Sequence, residues 1–156
     1  MTDAARSDAA DLAQAAAHLL AVDPARLGGA VLRGGSLGAG DGWRATLRTL
    51  MPPASPWRRM PPGITEDRLL GGLDLGATLA AGRPIVERGL LAQVSGGVLL
   101  VSGAERLLPG TAAAIAAALD GGEVAIAREG ITERMPTRFA VVLMDDGVGE
   151  IGRAHV

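Results

Sequence analysis

The sequence predicts an α/β domain with a mainly parallel central sheet whose two faces are covered. Short apolar runs, such as "AVLRG" (30–34), "GVLLVSG" (97–103) and "RFAVVLMDD" (138–146), have the composition of buried strands. Alanine- and leucine-rich segments of helical character stand between them. Because strands that alternate with helices pair in parallel, helices are expected on both faces of the sheet.

The other elements follow from local signals. Ser7 or Asp8 can cap a first helix, and Pro24 interrupts the chain after it. Five prolines in the stretch 52–63 predict an extended connector. The predicted helices are 7–21, 43–51, 76–82, a short one within 83–97, and 111–122 with a glycine stop. A further strand is predicted over 68–75, and a hairpin over 123–136 with its turn at Glu129-Gly130.

Composition excludes several classes of function. The 156 residues fit one domain, and the formal net charge of -2 gives no reason to expect binding to nucleic acid or anionic lipid. The absence of cysteine excludes disulfides, thiolate metal sites and cysteine nucleophiles. The polar N-terminus has no signal-peptide pattern, and no apolar run approaches the roughly 20 residues that span a bilayer. A cytoplasmic domain without a membrane span is therefore expected.

All 15 basic residues are arginine, and the chain contains no lysine. This bias toward arginine is typical of a GC-rich genome. Whatever its origin, it excludes any mechanism in which this chain itself supplies a lysine.

A glycine-rich segment, "GGSLGAGDGW" (34–43), stands where a phosphate-binding loop would lie, between a strand and a helix. Gly35 and Gly40 have the spacing of G-x-x-x-x-G-K-[ST], with Gly38 between them. Asp41 stands in place of the lysine and Gly42 in place of the hydroxyl residue. Taken alone, the segment is more typical of a glycine-rich turn with no ligand.

Two further positions of a nucleotide site carry the wrong residue types. The strand "GVLLV" should end in Asp-Glu to hold Mg²⁺ and the attacking water, but it ends in Ser102-Gly103. The polar residue after the last core strand would be Asp145 or Asp146. Because all three positions fail together, the sequence predicts a nucleotide site that has been lost.

Residues 65–143 resemble the AAA+ domain of the magnesium chelatases. The resemblance rests on "TEDRLLGGLDL", "ERGLLAQVSGGVLLV" and "AREGITERMPTRF". Since the Walker A lysine, the Walker B acids and the sensor asparagine are missing, the chain is more similar to the D subunits, whose N-terminal AAA+ domain is degenerate. The resemblance implies a three-layer αβα P-loop NTPase core with inserted β-hairpins over residues 1–150, incomplete at its C-terminus. It also implies that the strand after the glycine segment lies between the Walker B strand and the last strand of the sheet.

The resemblance further implies a role in a complex. Magnesium chelatase uses ATP to insert Mg²⁺ into protoporphyrin IX in (bacterio)chlorophyll synthesis. Its ATPase and D subunits form rings that act on a porphyrin-binding catalytic subunit. By this resemblance the chain is a non-catalytic subunit without ATPase activity, and ATP and Mg²⁺ are used by the complex. Residues 151–156, "IGRAHV", do not resemble the family and are expected to be a non-native tail.

Contacts to a partner subunit are expected at arginines. Arg128 and Arg134 lie on the charged hairpin, and Arg106 lies near the edge that a neighbour would meet. Arginine suits such contacts because its planar guanidinium forms paired hydrogen bonds with phosphate or carboxylate. The pair Arg58-Arg59 beside Trp57 is interpreted as a partner contact or as solvated surface, in preference to a site that stacks on a nucleobase.

Two alternatives remain open at this point. An active ATPase of the MoxR or chelatase type would need Arg33 or Arg44 to replace the missing lysine. An unrelated α/β interaction domain would resemble the family by accident, and the order of strands in its sheet would reveal it.

Overall fold

The structure, a computed structural model, describes residues 3–33, 37–128 and 131–145. In these ranges the helices are α1 (Asp3–Val22), α2 (Pro24–Leu27), α3 (Leu37–Leu50), α4 (Glu66–Leu70), α5 (Leu75–Ala81), α6 (Leu90–Gln93) and α7 (Pro109–Gly121). The strands are β1 (Gly29–Arg33), β2 (Trp57–Arg59), β3 (Gly71–Leu73), β4 (Val86–Arg88), β5 (Val98–Ser102), β6 (Glu123–Arg128), β7 (Ile131–Pro136) and β8 (Ala140–Asp145). None of the helices in these ranges is long and apolar enough to cross a membrane.

The central sheet has four parallel strands in the order β1-β8-β5-β2. The strand after the glycine segment is β2, which was expected between the Walker B strand, β5, and the last strand, β8. That prediction is wrong, because β2 lies at the outer edge and β8 lies between β1 and β5. Burial explains this order. Ala140 and Val142 of β8 are fully buried, whereas β2 carries two exposed arginines and therefore tolerates an edge.

Alternating side chains of the central strands enter two separate cores, as the period of a strand requires. Val98 and Val142 pack with Trp43 and Leu47 on the face covered by α1 and α3. The residues of opposite parity pack with α4, α6 and α7 on the other face; they include Leu99, Val101, Val141 and Phe139. Helices thus cover both faces, and the predicted three-layer α/β architecture is confirmed.

Two antiparallel hairpins are added to this core. One pairs β3 with β4 around α5, and the other pairs β6 with β7. The second hairpin matches the predicted one over 123–136, although the turn predicted at Glu129-Gly130 lies outside the described residues. Gly122, with φ +67°, ends α7 in the left-handed conformation, as the glycine stop predicted.

Three local predictions are corrected. The helix predicted over 43–51 begins at Leu37 and includes most of the glycine-rich segment. The connector 52–63 contains β2, because an edge strand needs only one ladder of hydrogen bonds and so tolerates flanking prolines. The strand predicted over 68–75 divides into α4 and β3 at Gly71, whose φ of +110° favours glycine.

Candidate functional site

The carboxyl ends of the parallel strands meet at one edge of the sheet, which is where α/β folds bind ligands. Arg33 ends β1 and is paired in register with Asp145 at the end of β8. Ser102 ends β5 and is paired with Met144. The structure therefore brings together the ends of the three strands whose following residues were predicted to form the lost nucleotide site.

The glycine-rich segment enters this edge as the start of α3. Gly38, Gly40, Asp41 and Gly42 belong to the first turns of the helix, and Gly35 lies outside the described residues. Asp41 forms an ion pair with Arg44 one turn later. The Arg44 Nε also donates a hydrogen bond to the carbonyl oxygen of Gly40, at 3.3 Å. The residue that replaces the lysine is thus an acid, Asp41, and it forms an ion pair with Arg44 of the same helix.

The other arginine near the segment is also engaged. The Arg33 Nε lies 3.9 Å from Oδ2 of Asp145. Asp145 therefore faces the end of β1, where it partly neutralises Arg33. Asp146, the second residue proposed for the sensor position, lies outside the described residues.

The end of β5 is occupied by an arginine. Ser102 is exposed, and Gly103 follows it in the left-handed conformation with φ +61°. A 3-10 turn, Ala104–Arg106, returns the guanidinium of Arg106 over Gly103, so that a Cβ at Gly103 would lie 3.0 Å from Cζ of Arg106. Arg106 also pairs with Glu105 at 2.6 Å. Sequence reasoning placed Arg106 at a partner surface and missed this contact, because only the turn geometry brings residues 103 and 106 together.

The described arginines at this edge are already paired with carboxylates. Binding of phosphate needs free cations or backbone amides, and Mg²⁺ needs oxygen ligands left open. Within the described ranges Arg33 and Arg44 face carboxylates, and a guanidinium covers the glycine at the end of β5.

The three predicted partner arginines lie on three elements: Arg106 on the 3-10 turn, Arg128 on β6 and Arg134 on β7. Arg134 lies on β7 and forms an ion pair with Glu123 on β6, across the second hairpin. The backbone of Arg128 pairs with Ile131 at the end of the same hairpin. Trp57 stands beside Arg58 and Arg59 in the sequence. Its ring is contacted by Arg48, whose guanidinium carbon lies 5.4 Å from the ring centroid.

Comparison with known proteins agrees with this architecture. No protein-family model matches the chain. Over 143 residues, 90% of the chain, it is 39% identical to the magnesium-chelatase 67 kDa subunit of Chlorobaculum parvum. Over 107 residues, 69% of the chain, it is 46% identical to the 60 kDa subunit of Cereibacter sphaeroides. These matches cover 23% and 18% of the two relatives, so the chain spans only about a fifth of their length.

A solved structure shows the same fold. A chain of the BchI–BchD complex of magnesium chelatase, obtained from a cryo-EM reconstruction, superposes with a TM-score of 0.67 at 24% sequence identity. The superposition covers 88% of this chain and 53% of the other. The fold that the two chains share is a three-layer α/β domain with a parallel central sheet.

Within that class, the chain is similar in sequence to about a fifth of the 60 and 67 kDa subunits of magnesium chelatase. The alternative of an unrelated α/β domain is therefore wrong.

Proposed function

We propose that the chain is a non-catalytic AAA+ module that docks onto the ATPase subunit of magnesium chelatase. In this role it supports the ATP-driven insertion of Mg²⁺ into protoporphyrin IX, in a ring that acts on the porphyrin-binding subunit, and it binds no nucleotide of its own. One observation carries the proposal: both arginines that could replace the missing lysine are paired with carboxylates, Arg33 with Asp145 and Arg44 with Asp41.

The rival function, an atypical active ATPase, requires one of these arginines to leave its ion pair and meet a phosphate. It also requires acidic ligands at the end of β5, where Ser102 and Gly103 lie. Neither residue can hold Mg²⁺ or orient water as the acids of an active site do. The described residues therefore favour the docking role.

Restoring the phosphate segment is expected to leave ATP turnover at background. The double variant Asp41→Lys with Gly42→Ser supplies the missing cation and hydroxyl, but Ser102 and Gly103 still provide no acidic ligand. Phosphate release from the purified variant and the unaltered chain measures the effect, and the chelatase ATPase subunit serves as the positive control. Typical enzymes turn over at about 1–10³ s⁻¹, so a rate in that range from the unaltered chain would overturn the proposal. The same rate from the variant alone would show that the missing acids do not prevent turnover.

Charge reversal on the second hairpin is expected to weaken binding to the ATPase subunit about tenfold. The double variant Arg128→Glu with Arg134→Glu removes two cations from the hairpin, and it also places a carboxylate opposite Glu123. The exposed ion pair of Arg134 with Glu123 contributes roughly 0–1 kcal/mol to stability, so the fold should persist. Equilibrium binding to the immobilised ATPase subunit provides the measurement.

The matched control reverses Arg83 and Arg138, which are exposed and lie outside both hairpin strands. If this control and the hairpin variant bind equally well, the contact lies elsewhere. Melting temperatures of all three proteins separate lost binding from lost structure.

A further inference from the structure

A cleft of about 750 Å³ lies apart from the ends of β1, β5 and β8. It is bounded by the chain after β2, by α4 and α6, and by the β3–β4 hairpin. We call it the arginine cleft, because Arg59, Arg68 and Arg88 line it. Its lining includes none of the residues described above at the lost nucleotide site.

The walls of the arginine cleft are formed by closely packed backbone. A Cβ at Gly89 would overlap the backbone of Leu70 and Gly71, so the hairpin lies directly against α4. The Arg88 Nη2 donates a hydrogen bond to the carbonyl oxygen of Ala92, at 3.0 Å, and this bond fixes its guanidinium at the rim.

The cleft carries an excess of positive charge. Its three arginines face two carboxylates, those of Asp67 and Glu87. Arg59 and Arg68 are exposed, and within the described ranges neither has an ion pair. A guanidinium without a partner presents a planar donor array that matches a carboxylate.

An apolar ridge borders the same cleft. Leu75 lines the rim with 70% of its surface exposed. Leu79 follows one turn later on the same face of α5 and is 84% exposed. Sites for small molecules are mostly apolar concavities that enclose the ligand, whereas this surface is charged and has its leucines outside. The combination therefore favours a segment of protein over a small molecule.

We propose that the arginine cleft binds an acidic, leucine-containing segment of a partner protein. Carboxylates of the segment meet Arg59 and Arg68, and an apolar side chain covers Leu75 and Leu79. The proposal goes beyond the docking role above, because it concerns a second surface and does not depend on the hairpin arginines.

The test uses a short fluorescein-labelled peptide in which glutamate and leucine alternate, with binding followed by fluorescence anisotropy. The unaltered chain should bind it, and affinity should fall as salt is raised, because exposed ion pairs are screened. Arg59→Glu and Arg68→Glu should each weaken binding at least about tenfold, which corresponds to about 1.4 kcal/mol per site. Leu75→Ala with Leu79→Ala should weaken it as well.

Arg58→Glu is the matched control, because Arg58 is the exposed neighbour of Arg59 on β2 and does not line the cleft. This variant should bind as the unaltered chain does. Equal binding by Arg59→Glu and Arg58→Glu would overturn the proposal, as would no binding at all. Equal binding of a peptide with glutamine in place of glutamate would show apolar association only and would also overturn it. Thermal unfolding of each variant checks that the fold is retained.

Discussion

Gly97→Ala is expected to lower the free energy of unfolding by about 3 kcal/mol or more, although it adds only one methyl group. Gly97 is buried immediately before β5, and a Cβ there would overlap the carbonyl oxygen of Pro56 and lie 2.7 Å from its carbonyl carbon. Neither the backbone at Pro56 nor the backbone at Gly97 can move freely, because both carbonyl groups accept hydrogen bonds within the sheet. Val98 N donates to Pro56 O at 2.9 Å, and Ala140 N donates to Gly97 O at 3.0 Å.

The methyl group must therefore disturb the hydrogen bonds that align β5 with β2 and β8. Urea unfolding followed by circular dichroism measures the loss. Gly121→Ala is the matched control, since Gly121 lies in α7 and a Cβ there meets no atom within 4 Å. It should raise stability by about 0.5–1 kcal/mol through helix propensity. Similar stabilities for the two variants would contradict the steric account.

Trp43→Ala is expected to cost about 3–5 kcal/mol, which is a large share of the roughly 5–15 kcal/mol that stabilises a typical domain. Trp43 is only 4% exposed and packs between α1 and the sheet, together with Leu20 and Leu47. Its Nε1 donates a hydrogen bond to the carbonyl oxygen of Ala13, at 2.7 Å, and so joins α3 to α1. Truncation leaves a cavity and removes this hydrogen bond between α3 and α1.

Two other variants separate these contributions. Trp43→Phe keeps most of the apolar contact and removes the hydrogen bond. It should therefore lower the free energy of unfolding by about 1 kcal/mol. Trp57→Ala provides a control, because Trp57 is only half-buried and should cost less than Trp43. Denaturant midpoints compare the proteins. An equal loss for both tryptophan-to-alanine variants would show that Trp43 does not anchor α1.

The fold was predictable where local pattern and burial agree. The strands at 98–102 and 140–145 are short apolar runs that enter both cores, and α7 ends at the glycine that favours a left-handed conformation. The start of α3 was not predictable, because glycine disfavours a helix interior. The ion pair between Asp41 and Arg44 supports the second turn of this helix, and it was not inferred from the residue pattern.

Prediction of the candidate site was limited by contacts that depend on tertiary structure. The sequence indicated the positions at the ends of the strands, and the sheet brings those strand ends together. That Arg33 faces Asp145 follows only from the pairing of β1 with β8. The position of Arg106 over Gly103 depends on a single turn of backbone, which leaves no periodic signal in the sequence.

The central position of β8 determines when the sheet can assemble. Gly29 at the start of β1 pairs with Val141, and in the described part of the chain β1 has no other strand partner. During synthesis β1 therefore leaves the ribosome long before its partner does, and β5 waits with one side open. Such distant pairing slows folding, and unpaired apolar strands are prone to aggregate in the interval. Chaperones that cover exposed strands should accordingly act on this chain until Asp145 has emerged.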